Sequence, residues 1–146
     1  VEEEIDINGI TYLATCVSIG NPHCIIPMRD ISKEMVCGIG RCSESAPCFP
    51  NRVNTQLLKV IDRTHIQIET YERGAGYTLA AGSNACAAAG AAYRMGMTDN
   101  KMYVKMPGGT LKVEIDEDWR VFMTGEVFHI GKITLSHVFT EQLRSM

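Results

Sequence analysis

From Ile10 to Ile19 the chain reads Ile-Thr-Tyr-Leu-Ala-Thr-Cys-Val-Ser-Ile, rich in β-branched and aromatic side chains, and it halts at Gly20-Asn21-Pro22. That pattern predicts a strand running into a turn. His23 to Ile26 resumes as a short strand stopped by Pro27, and Asp30 to Val36 reads as a helix, with Asp30 or Ser32 as N-cap and Gly38 near its end. Gly40 to Pro50 reads as loop. Val53 to Ile61 and Ile66 to Tyr71 then flank Asp62-Arg63-Thr64, and the second run alternates apolar with polar, which predicts a hairpin. Two more hairpins are predicted: Met102 to Met106 with Leu111 to Ile115 around Pro107-Gly108-Gly109, and Val121 to Met123 with Val127 to Ile130 around Thr124-Gly125.

Between the strand-rich halves lies Gly82 to Gly96, a helix with Ser83 or Asn84 as its cap and Gly96 as its stop. Its residues are small and uncharged on every face until Arg94. A surface helix does not carry such a sequence, so this one is expected to be buried on all sides with strands packed closely around it. The fold class that follows is α+β: a strongly curved, barrel-like β-sheet wrapped around one central Ala-rich helix.

The chain has 146 residues, 45% of them hydrophobic, enough for one globular domain. Its 14 Lys and Arg against 17 Asp and Glu form no basic stripe, so nucleic acid is not an expected partner. The most apolar stretch, Thr78 to Tyr93, is mostly Ala and Gly and is broken by Ser83 and Asn84, short of the roughly 20 strongly apolar residues of a membrane helix. The first residues are acidic, where an export signal is basic and then apolar; the expected location is cytoplasmic. A chain that opens on Val1 and enters an apolar segment within about ten residues is expected to be a fragment, or one half of something longer. The six cysteines (16, 24, 37, 42, 48 and 86) contain no C-x-x-C spacing and are read as reduced thiols, with no metal site.

Chemistry is expected where Tyr71-Glu72-Arg73-Gly74-Ala75-Gly76 leaves a strand, turns through two glycines and leads into the start of the buried helix at Gly82-Ser83-Asn84. Unpaired amides and the positive end of the helix dipole suit a carboxylate or a developing negative charge there, and Arg73 can clamp the same anion. Glycine spacing alone leaves another reading open, in which Gly74 and Gly76 simply make a tight turn and Glu72-Arg73 is a local ion pair.

Read in order, Gly20-Asn21-Pro22-His23, Arg52-Val53-Asn54, Glu72-Arg73-Gly74-Ala75-Gly76-Tyr77-Thr78, Gly82-Ser83-Asn84-Ala85-Cys86-Ala87, Pro107-Gly108-Gly109 and Met123-Thr124-Gly125 resemble diaminopimelate epimerase, from about Cys16 to Val127. The resemblance implies a cofactor-independent amino-acid epimerase of two similar domains with the active site in the cleft between them. Residues 1–146 resemble its C-terminal half. The expected partners are therefore an amino-acid substrate, diaminopimelate, and either the missing N-terminal domain or a second copy. Removing a weakly acidic α-proton needs a base on one face of Cα, an acid on the other, and fixed donors around the carboxylate. The resemblance places Ala81, His23 and Glu72 in the proton-transfer machinery, with His23 close to the thiol position. Asn21, Asn54, Glu72 and Arg73 are implied to hold the distal end or α-amino group of the substrate, and Gly82 and Ser83 its α-carboxylate. Turn roles for Asn21 and Asn54, and a packed or solvated His23, remain open.

One departure from the family pattern bears on the chemistry. Where the family carries its second catalytic cysteine, this chain reads Ala80-Ala81-Gly82-Ser83, and a methyl group transfers no proton. Cys86 is five residues on, about 7.5 Å along a helix axis, where packing is expected to leave it inert. His23 and Cys24 are the candidates for a replacement base. Three readings of Ala81 follow: an engineered Cys→Ala change, a subgroup using another acid or base, and a non-catalytic relative that keeps the amino-acid pocket. Separately, the enzymatic rival is a racemase of another amino acid on the same fold, which would differ in the distal pocket around Glu72 and Arg73.

Overall fold

The computed structural model describes residues 1–145; Met146 lies outside them. The elements run β1 (Glu3–Ile7), β2 (Ile10–Ser18), β3 (Pro22–Pro27), α1 (Lys33–Glu44), β4 (Asn54–Asp62), β5 (His65–Glu72), β6 (Gly76–Thr78), α2 (Gly82–Arg94), β7 (Lys101–Met106), β8 (Gly109–Ile115), β9 (Val121–Thr124) and α3 (His137–Arg144). Nine strands form one mixed sheet in the order β1-β2-β3-β4-β5-β7-β8-β9, with β6 also paired to β5. The fold is α+β. The hydrogen-bonded path ends at β1 and β9, and among the described residues nothing joins those two edges.

The predicted β4–β5 hairpin forms, with Thr55 opposite Tyr71 and Val60 opposite Ile66. Each of its outer edges takes a parallel partner, β3 on β4 and β7 on β5. Parallel neighbours need a crossover, and here α1 and α2 supply the two crossovers. The outer edge of β5 is shared: its first half pairs with β7 and its second half with β6.

The helices cover opposite faces of the central strands. Ile25, Leu58, Ile66, Ile68, Val104 and Val113 meet the alanines of α2, whereas Cys24, Ile26 and Leu57 pack with Val36 of α1. Strands enclosed on both faces lose the alternation of a half-exposed strand, which explains the unbroken Cys24-Ile25-Ile26 run.

Four expectations are corrected. Helix α1 starts where Ser32 caps the Met35 amide, but it continues to Glu44, through both glycines. Gly40 is a packing residue: a Cβ there would overlap Tyr71 Cβ and Cγ, so only glycine lets the helix approach β5. The third hairpin does not form; β9 pairs with β8 instead, and Val127, Phe128 and Ile130 are exposed and unpaired. An alternating run becomes a strand only where an edge receives it. The cap of α2 is Ala81, with no side-chain hydrogen bond, and Ser83 and Asn84 fall inside its first turn. Finally, α2 is not buried all round: Ala85, Ala88, Ala89 and Ala92 are fully enclosed, while Gly82, Cys86, Gly90 and Tyr93 form a half-buried stripe.

Three elements had not been anticipated. Strand β1 pairs with β2 across Asn8-Gly9, whose φ values of 57° and 79° suit the tight hairpin turn that this dipeptide favours. Strand β6 and helix α3 also add to the predicted set, and α3 has no buried residue. No helix among the described residues is long and apolar enough to cross a membrane.

Candidate functional site

Three segments far apart in sequence meet at the ends of β3, β4 and β5. The turn Ile19–Asn21 delivers Pro22 and His23 into β3, and the parallel register sets His23 directly beside Asn54. Asn54 is 4% exposed. Its Nδ2 donates to the Pro22 carbonyl and its Oδ1 accepts the Arg73 amide, both at 2.9 Å. One side chain therefore fastens the Gly20-Asn21-Pro22-His23 turn to the Glu72-Arg73-Gly74 turn, and both of its polar ends are used by backbone.

The second turn is held from two further sides. Glu44, the last residue of α1, accepts the Gly74 amide at 2.7 Å, and Thr78 Oγ1 donates to Glu72 at 2.6 Å. Gly74 and Gly76 have φ of 76° and 78°, which lets the chain reverse into β6. The Arg73 guanidinium donates to the Asn51 carbonyl at 3.1 Å. Arg52, with φ of 59°, stands beside it and pairs with Glu44 at 3.4 Å. These arginines, with Asn21 and Cys48, line a cavity of about 470 Å³. Two guanidinium groups and an amide around one hollow suit a carboxylate.

A second cavity, of about 290 Å³, opens at the N-terminus of α2 between Ala80, Ala81, Gly82, Gly109 and Glu126. A Cβ at Gly82 would lie 2.9 Å from Met123 Sδ, so the end of that flexible side chain rests against the helix start. The first amides of α2 have no intrahelical acceptor, so this hollow is polarised for negative charge. Ser83 is half-buried in the same first turn.

The residues singled out from sequence thus fall in three places. Asn21 and Arg73 line the first cavity, Ala81 and Gly82 the second, and Asn54 and His23 lie beneath the surface. His23 is 1% exposed, with Nε2 2.9 Å from Asn21 Oδ1. Burial lowers its proton affinity, opposed by the Gln56 amide and the Glu72 charge. Cys24, weighed above as a replacement base, is fully buried in the α1-side core and pushed far above the ordinary thiol range by its interaction with Cys16 and by burial. It offers no base to either cavity. Burial likewise raises Cys86.

Sequence reading did not find Arg52 as a cavity residue, nor the hydrogen-bonded pair Gln56 and Asn84. The only sign of Gln56 was a polar residue at the head of the otherwise apolar Leu57-Leu58 run. Among the described residues no three His, Cys, Asp or Glu side chains converge to hold a metal ion.

Residues 15–130 match the diaminopimelate epimerase family. Diaminopimelate epimerase 2 of Nostoc sp. is 44% identical over 136 residues, 93% of this chain and 48% of the relative. Diaminopimelate epimerase of Moorella thermoacetica is 38% identical over 131 residues, 89% of this chain and 47% of the relative. The chain therefore spans about half the length of these relatives. Among solved structures, a phenazine biosynthesis protein of the PhzF family from Bacillus anthracis superposes with a TM-score of 0.55 over 77% of this chain and 38% of that one. At 13% identity, that likeness concerns the fold alone.

Proposed function

Because the chain belongs to the diaminopimelate epimerase family, we propose that residues 1–146 form one wall of an amino-acid epimerase site, corresponding to the C-terminal half of a two-domain cytoplasmic enzyme. The reading needs no cofactor. The observation that carries it is the way Asn54 fastens the His23 turn to the Arg73 turn, beside a hollow lined by Arg52 and Arg73.

In this reading Arg73, Asn21 and Arg52 receive the charged distal end of a diamino-diacid such as diaminopimelate, and the two guanidinium groups answer its carboxylate. Asn54 acts by holding both turns in place. The amides of Gly82 and Ser83 receive the α-carboxylate, where negative charge accumulates as the α-proton leaves. In the same reading Glu72, held by Thr78, and His23 serve the proton transfer assigned to position 81. A thiol at that N-cap would be drawn toward thiolate by the helix dipole and would take or return the α-proton from one face. The companion domain would supply the group on the opposite face, so the sheet curled about α2 contributes half of a two-base site.

The alanine methyl at position 81 transfers no proton, which favours a second reading: a pocket that holds the amino acid without turning it over. The test is deuterium incorporation at Cα of diaminopimelate in D₂O, using the complete two-domain protein with Ala81 or with Ala81→Cys. A rise in exchange by orders of magnitude on restoring the thiol is expected for the epimerase site. No gain, with substrate still bound, would leave the binding reading in its place.

A further inference from the structure

Among the described residues, three buried side-chain atoms lack a hydrogen-bond partner: His23 Nδ1, Gln56 Oε1 and Asn84 Nδ2. They belong to one cluster. The β3–β4 register sets His23 against Asn54 and Ile25 against Gln56, so Gln56 projects from the same sheet face as His23. From the first turn of α2, Asn84 Oδ1 accepts Gln56 Nε2 at 2.9 Å. His23 is 1% exposed, and Gln56 and Asn84 are fully enclosed.

An amide with its nitrogen committed in one direction turns its carbonyl oxygen the other way. Gln56 Oε1 then faces the imidazole, and the Gln56 amide strengthens the hold of His23 on a proton. The other ring nitrogen, Nε2, is on the side of Asn21, which itself lines the arginine-lined cavity. A neutral imidazole carries a single N–H, so its two flanking amides decide which nitrogen bears it. Asn21 presents Oδ1 to Nε2 at 2.9 Å, so a bare Nε2 requires the Asn21 amide to turn its nitrogen to the ring, which its half-buried turn permits. Gln56 is held by Asn84.

We propose that Gln56, braced by Asn84, is a positioning residue that accepts the Nδ1 proton of His23 and thereby leaves Nε2 as the bare nitrogen on the cavity side. This satisfies Nδ1 and Oε1 with each other. It also gives His23 the tautomer in which a buried ring can take a proton from the site and hand it back, the part that an orienting carboxylate plays for histidine in hydrolytic triads. Asn84 carries the arrangement into α2, so the helix whose N-terminus faces substrate also orients the imidazole beneath it.

The inference rests on the reading that His23 serves the site, but its test involves no substrate. Long-range ¹⁵N–¹H spectra of the chain at about pH 8 report the tautomer of each neutral histidine, with His23 assigned by its loss in His23→Gln. Protonated Nδ1 is expected. The isosteric Gln56→Met should move the ring toward the Nε2–H form that an unconstrained imidazole favours, and Gln56→Glu, which keeps an acceptor, should retain Nδ1–H. Protonated Nε2 in the unaltered chain, or a tautomer indifferent to Gln56→Met, would overturn the proposal. The first result needs no variant, so a misfolded substitution cannot leave it undecided. Loss of substrate binding in the complete protein would instead count against the site reading and leave the tautomer result standing.

Discussion

The Asn54 side-chain oxygen accepts the backbone amide of Arg73 at 2.9 Å across 19 residues of sequence. Asn54→Leu would leave that amide, and the Pro22 carbonyl bonded to the other end of the side chain, without partners. Each unmatched buried group costs about 1–3 kcal/mol. The urea midpoint is expected to fall at unchanged slope, and on the proposed reading affinity for diaminopimelate in the complete protein falls with it, because both turns lose their shared anchor.

Two glycines of α1 should respond to alanine with opposite signs. At Gly40 an added Cβ collides with Tyr71, and overpacking of this kind costs about 1–3 kcal/mol. At Gly38 the same atom meets open space, and replacing a helical glycine by alanine gains about 0.5–1 kcal/mol. Thermal unfolding of the two variants side by side measures the contrast.

Cys16 is expected to be the first thiol labelled at neutral pH. It is exposed and faces Cys24 across the β2–β3 ladder; the interaction with that thiol draws it down to about 7, against the raising effects of burial and Glu3. Iodoacetamide followed by peptide mass mapping should show Cys16 modified earliest and Cys24 last, with the fast phase absent from Cys16→Ser. Equal rates at the two positions would contradict this placement.

Burial depresses the His23 proton affinity in the folded chain below its ordinary value of 6.5. Below that pH the unfolded chain binds the proton and the folded chain resists it, so stability declines as pH falls and levels off beneath the folded value. Gln56 and the Glu72 charge oppose the depression and narrow the window. Urea titrations from pH 7 to about 5 should show this slope, and His23→Gln should flatten it.

Ala81→Cys should introduce a thiol that ionises below the roughly 8.5 of a free cysteine, because the N-cap of α2 faces unpaired amides. The difference in thiolate absorbance between the variant and the unaltered chain during a pH titration isolates that one group. An ordinary or raised value would show that this helix end does not activate a thiol.

The sequence was most readable where local pattern and final environment agree. Alternation found β5 and its hairpin, and the alanines of residues 85–92 announced a helix with little solvent around it. Glycine misled where its reason was tertiary: Gly38 and Gly40 looked like a helix stop, yet Gly40 is there because Tyr71 leaves no room for a Cβ. The Asn8-Gly9 turn carried a clear local signal that the reading of the acidic first residues passed over. Of the candidate site, the order of the short motifs marked the two turns and the helix start. Gln56 and Asn84 were illegible because a strand and a helix with different periods bring them together only in space.

Placing the β4–β5 hairpin between two parallel partners also sets an order of assembly. The hairpin closes over a two-residue turn, whereas β3 reaches β4 only by way of α1, and β7 reaches β5 only by way of β6 and α2. Closing those longer loops forfeits chain entropy before the new edges compensate for it. The hairpin should therefore serve as the early nucleus. The turns assigned to the proposed site need β3, β4 and β5 aligned together and take shape late, so that site, which also uses the start of α2, is complete only after both crossovers have docked.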